Sequence, residues 1–93
     1  MEAFVNDTVK LLLDTKTDVS IFSVVRIKYK KPNGVTGYWS AAACPSNNDY
    51  VQYMTEENDL DIAGTWKVQV YVSEDGEHYH GKEAVFKVYD PLL

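Results

Sequence analysis

Along much of this chain, apolar and polar residues alternate with a period of two, the signature of half-buried strands. The clearest stretch is Leu60–Val72. Trp66, Val68, Val70 and Val72 fall on one face and Thr65, Lys67, Gln69 and Tyr71 on the other. Ala63-Gly64 before it suits a tight corner, because glycine tolerates bends that a side chain would obstruct. The stretch is read as a central strand. A second clear alternation covers 23–31, with Val25, Ile27 and Tyr29 facing in and Arg26, Lys28 and Lys30 facing out. Lys31-Pro32-Asn33-Gly34 then reads as a hairpin turn: proline presets φ, and Asn-Gly accepts positive φ. A return strand is expected over 36–44, with Trp39, Ala41 and Ala43 on one face and Tyr38, Ser40, Ala42 and Cys44 on the other.

Weaker patterns fill the remainder. Residues 2–6 read as a short edge strand. In 8–14, Val9, Leu11 and Leu13 alternate with Thr8, Lys10, Leu12 and Asp14, and Leu12 is expected under a loop. Residues 15–20 are a polar connection, after which Ile21 and Phe22 are expected to plug one end of the core. Pro45 ends the return strand, Ser46–Asp49 reads as a loop, 50–55 as a strand and Glu56–Asp59 as an acidic connection. Asp75-Gly76 marks a second hairpin. The last strand, 82–89, has Ala84, Phe86 and Val88 inward and Val85, Lys87 and Tyr89 outward. Six or seven short strands with regular turn signals predict an all-β fold. The class is an antiparallel β-sandwich of about seven strands. Its expected core includes Trp39, Trp66, Val68, Val70 and Phe86.

The 93 residues suffice for one domain, residues 1–93. A net charge of −5 disfavours phosphate backbones and anionic membranes as partners. With one cysteine, Cys44, no intrachain disulfide can form, which points to a reducing compartment. No signal-peptide apolar region and no membrane-length apolar run occur.

Candidate chemistry is thin. His78 and His80, with Glu77 and Glu83, have no third and fourth ligand in pattern for a metal. Glu56, Glu57, Asp59 and Asp61 do not follow the spacing of a calcium loop. Cys44 needs a base beside it to be a nucleophile. No catalytic residue, cofactor or metal ligand is assigned, and an enzyme is not expected. More informative is the basic stripe Arg26, Lys28 and Lys30, joined by Lys31, which either guards an edge or docks an acidic partner. Of seven tyrosines, Tyr38, Tyr71, Tyr79 and Tyr89 join that stripe as the candidate interaction surface, tyrosine being enriched at interfaces.

The Leu60–Val72 stretch resembles the corner-and-strand signature of immunoglobulin-like domains, Asp-Ala-Gly-x-Tyr-x-Cys. Trp66 stands at the corner tyrosine, Val68 at the second cysteine and Ile62 at the aspartate, with Asp61 one residue early. An indole N–H in place of the hydroxyl leaves a group that can only donate. More of the chain is similar to small immunoglobulin-like proteins of phage and prophage structural-gene regions. That likeness rests on Val25–Gly34 followed by Gly37-Tyr38-Trp39, on Asp59–Trp66 running into Gln69–Val72, and on His80-Gly81 before Phe86–Val88. It implies a non-enzymatic structural module of a virion, of tail, baseplate or head, working by protein–protein contact. It also implies residence in the particle or in host cytoplasm during assembly. The expected partner is another protein or a second copy in a homo-oligomer. The alternative is a carbohydrate- or cell-surface-binding module, with Trp39, Tyr38 and Tyr79 as stacking platforms.

Overall fold

The computed structural model describes residues 2–92. It contains β1 (Glu2–Phe4), β2 (Lys10–Asp14), β3 (Val24–Lys30), β4 (Thr36–Ser40), β5 (Ala42–Cys44), β6 (Asn47–Met54), β7 (Gly64–Glu74), β8 (Glu77–His80) and β9 (Ala84–Tyr89). Among the described residues there is no helix, and so none long and apolar enough to cross a membrane. The strands make a sandwich of two sheets. The larger runs β1-β9-β7-β3-β4 and the smaller β2-β6-β5.

β7 lies inside the larger sheet. One edge pairs with β3 through Lys67–Ser73, and the other pairs with β9 through Gly64–Val68 and with β8 through Tyr71–Glu74. Its alternation is why it can sit there: Trp66, Val68, Val70 and Val72 are all buried, while the odd-numbered positions from Thr65 to Tyr71 face outward. The core also takes Ile27, Trp39, Phe86 and Val88 from the larger sheet, and Leu11 and Val51 from the smaller. Its aromatic rings form a ladder. Tyr53 stacks on Trp39 at 5.1 Å, Trp39 on Trp66 at 6.2 Å and Trp66 on Phe86 at 6.3 Å.

The corner before β7 is closed by its tryptophan. Trp66 Nε1 donates to the Ile62 carbonyl, four residues back, at 2.9 Å. A donor is sufficient because the acceptor is a backbone carbonyl, so the loss of a hydroxyl leaves the corner bond intact. Lys31 reinforces it from outside. Its amine lies 2.9 Å from Asp61 Oδ1 and 5.7 Å from the Trp66 ring centroid. Lys31 therefore ties the β3–β4 hairpin to the corner and does not extend the exposed basic stripe. Opposite, Thr55 is buried; its hydroxyl accepts from the Val9 N–H and donates to the Asp7 carbonyl, clipping the β1–β2 connection to β6.

Several expected details differ. The strand expected over 36–44 is two: the chain leaves the larger sheet at Ala41, whose N–H still bonds Val25 C=O, and enters the smaller one as β5. The small side chains there permit that crossing. A bulge between Ala43 and Cys44 turns Cys44 inward, where it is buried. Residues 47–49 belong to β6 rather than a loop. Ile21 is 68% exposed and plugs nothing; Val19, from the connection expected to be polar, is the buried residue. Leu12 is exposed on the outer face of the smaller sheet, not covered by a loop. Among the described residues there are nine strands rather than about seven, and β1 pairs with β9 in parallel.

The β7–β8 turn follows its sequence signal. Asp75 and Gly76 both have positive φ, 48° and 81°, as a two-residue turn matched to strand twist needs.

Candidate functional site, the outer face of the larger sheet

The register sets which outward side chains become neighbours. Arg26 lies between Ser40 on β4 and Tyr71 on β7, and Tyr71 lies opposite His80 on β8. In the next row Lys28 lies between Tyr38 and Gln69, and in the one after it Lys30 lies between Thr36 and Lys67. Lys87, across from Thr65, continues the face on β9. Five of the nine basic residues of this acidic protein thus share one sheet face: Arg26, Lys28, Lys30, Lys67 and Lys87.

Aromatic rings hold two of these cations, Arg26 and Lys28, in place. The Arg26 guanidinium sits 4.3 Å from the Tyr38 ring centroid and 5.9 Å from that of Tyr71. The Lys28 amine lies 4.6 Å from the Tyr71 centroid and 3.0 Å from His80 Nε2. A lysine amine only donates, so this imidazole nitrogen accepts. His78 and His80 pack at 6.1 and 5.2 Å from Tyr71. Such cation–aromatic contacts hold each charge at a fixed place and are worth about 0.5–1 kcal/mol apiece when exposed. Beside them a shallow depression of about 310 Å³ is lined by Lys28, Lys30, Tyr38, Lys67, Gln69 and Glu83. The arrangement can bind an anion-rich surface.

Two tyrosines expected on this surface lie away from the cluster. Tyr79 pairs with inward-facing Val72, packs on Phe22 at 6.0 Å and donates to Glu77 at 2.9 Å, a bond that raises its hydroxyl pKa. Tyr89 shares the outer face with Lys87 but sits at the far end of β9, packed on Phe4. Conversely, Lys67, Gln69 and His80 join the cluster without having been singled out for it. The Asp75-Gly76 turn contained that information, since a two-residue hairpin pairs Glu74 with Glu77 and so brings His80 opposite Tyr71.

Trp39 is 8% exposed and sandwiched in the aromatic ladder, so it offers no stacking platform to a sugar. Among the described residues no three His, Cys, Asp or Glu side chains gather as a metal site. In the acidic connection, Asp59 Oδ2 accepts from the Tyr53 hydroxyl and the Glu56 N–H, both at 2.7 Å, and Asp61 pairs with Lys31. Cys44 belongs to the smaller sheet and both histidines to the larger. The Ser46 hydroxyl, 3.3 Å from Cys44 Sγ, lowers the thiol pKa.

Burial and then the Asp59 bond raise the Tyr53 pKa above its ordinary 10.0. Raising an acid's pKa on folding stabilises the fold below pH 10, where both states are protonated. That stability drains away above pH 10, where only the unfolded chain ionises freely. Tyr53→Phe is therefore expected to cost about 1–2 kcal/mol at neutral pH, and its urea midpoint should fall less steeply than the wild type's above pH 10. Parallel curves for the two proteins would contradict the assignment.

No family model, curated protein or solved structure matches this chain.

Proposed function

We propose that this protein is a non-enzymatic docking module that presents the outer face of its larger sheet to an acidic protein surface. The observation carrying this reading is the concentration of five cations, two of them held by aromatic rings, on one face of a chain whose net charge is −5. Charge complementarity of this kind steers encounter and sets orientation. The sequence likeness to phage and prophage immunoglobulin-like proteins favours a virion component as the setting. Its recovery in gradient-purified particles tests that part.

The docking part is tested with immobilised poly-glutamate as the probe. The double variant Arg26→Glu/Lys28→Glu should lose retention at low salt. A charge-matched control, Lys16→Glu/Lys82→Glu, should keep most of it. Equal loss in both would show that net charge alone governs binding and would remove the face from consideration.

A further inference from the structure

A sandwich of this kind has open sheet edges, and each is a template for another strand unless it is blunted. Among the described strands β1 and β5 are edges of only three residues, β5 is bulged, and β8, bonded only to β7, is an edge of four. The two longer edges are β2 and β4, of five residues each. On β2 the direction of the backbone groups follows from the ladder. Thr55 N–H bonds Val9 C=O, and Thr15 N–H bonds Asp49 C=O. Odd-numbered positions therefore bond β6. The N–H and C=O groups of Lys10, Leu12 and Asp14 point to the free edge. Beside it a groove of about 460 Å³ runs between Leu12–Lys16 and Gly81–Ala84.

We propose that the β2 edge pairs with the β2 edge of a second copy, antiparallel and about a two-fold axis at Leu12. The sequence of this edge is self-complementary in that arrangement. Leu12, 48% exposed, meets its symmetry mate, and Lys10 of each copy meets Asp14 of the other. The three outward-pointing residues form three hydrogen-bonded pairs, with roughly six N–H···O=C bonds. The two smaller sheets become one, ordered β5-β6-β2-β2-β6-β5. Opposite charges directly across an antiparallel pair stabilise it and like charges oppose it, which fixes this register over its neighbours. Pairing through β4 has no such complementarity: it would bring both Arg26–Lys28–Lys30 stripes onto one continuous sheet face. A two-fold pairing also closes on itself, so it ends at a dimer. The inference is independent of the docking face and leaves that face exposed in both copies.

The test is sedimentation velocity across rising protein concentration, with a thermal melt of each variant. Wild type should pass from monomer to dimer. Lys10→Asp places like charges across both pairs and should weaken association by about tenfold or more. The swap Lys10→Asp/Asp14→Lys should restore it. Leu12→Pro removes an N–H that points away from β6, so the sheet should survive while association is lost. A wild type monomeric throughout would overturn the proposal. So would a dimer that Lys10→Asp and Leu12→Pro leave intact, or one abolished only by Arg26→Glu/Lys28→Glu.

Discussion

Trp66→Ala is expected to destabilise the protein by about 3–5 kcal/mol, a large part of the roughly 5–15 kcal/mol available to a small domain. Trp66 has no exposed surface, and its ring lies between Trp39 and Phe86. Alanine removes the central rung of that ladder and opens a void that a close-packed core cannot fill. It also leaves the Ile62 carbonyl without the indole donor that now reaches it at 2.9 Å. Trp66→Phe separates these effects. It keeps a ring in the stack and loses the donor, for an expected cost of about 1–3 kcal/mol. Urea unfolding gives both values. A Trp66→Ala midpoint equal to that of wild type would refute the role given to the ring.

Gly64→Ala should cost about 2–4 kcal/mol, from two sources. Gly64 has φ of 133°, which a residue with a side chain adopts at about 1–3 kcal/mol. A Cβ there would also lie 2.6 Å from Pro32 Cγ and 2.7 Å from Pro32 Cβ, closer than packed carbons tolerate. Pro32 belongs to the β3–β4 hairpin, so the clash would push that turn off the corner and strain the Lys31–Asp61 pair beside it. A double-mutant cycle with Pro32→Gly isolates the steric part: the two substitutions together should cost less than their sum. Additive costs would assign the whole effect to backbone conformation. The pair of residues shows why a glycine is required at the start of β7. The alternation pattern needed it only for a bend; the structure adds a neighbour, Pro32, from a distant hairpin.

The strands legible in the sequence were those with one buried and one solvated face. β3, β7 and β9 sit where their alternation placed them, and both glycine-containing turns close as their residue types require. Misreadings fell where burial depends on remote partners. Ala41 carries no pattern that marks a change of sheet. Val19 is buried because β6 and the connection before β3 meet over it, its N–H bonding Asn48 C=O. Ile21, equally apolar, points to solvent.

For the candidate site, the sequence alone determined the composition: a basic stripe on β3 and a surplus of tyrosine, both readable from period-two alternation. Only the tertiary structure decided which of those residues meet. Register joined Arg26 to Tyr38 and Tyr71, and Lys28 to His80, turned Tyr79 toward Phe22, and left Tyr89 at the far end of the face beside Phe4. It also decided which strand edges stay unpaired. The physical reason is that alternation is a local property, set by each residue's own backbone. Cross-strand adjacency depends on turn geometry and on how two sheets settle over a shared core, which no single stretch of the chain encodes.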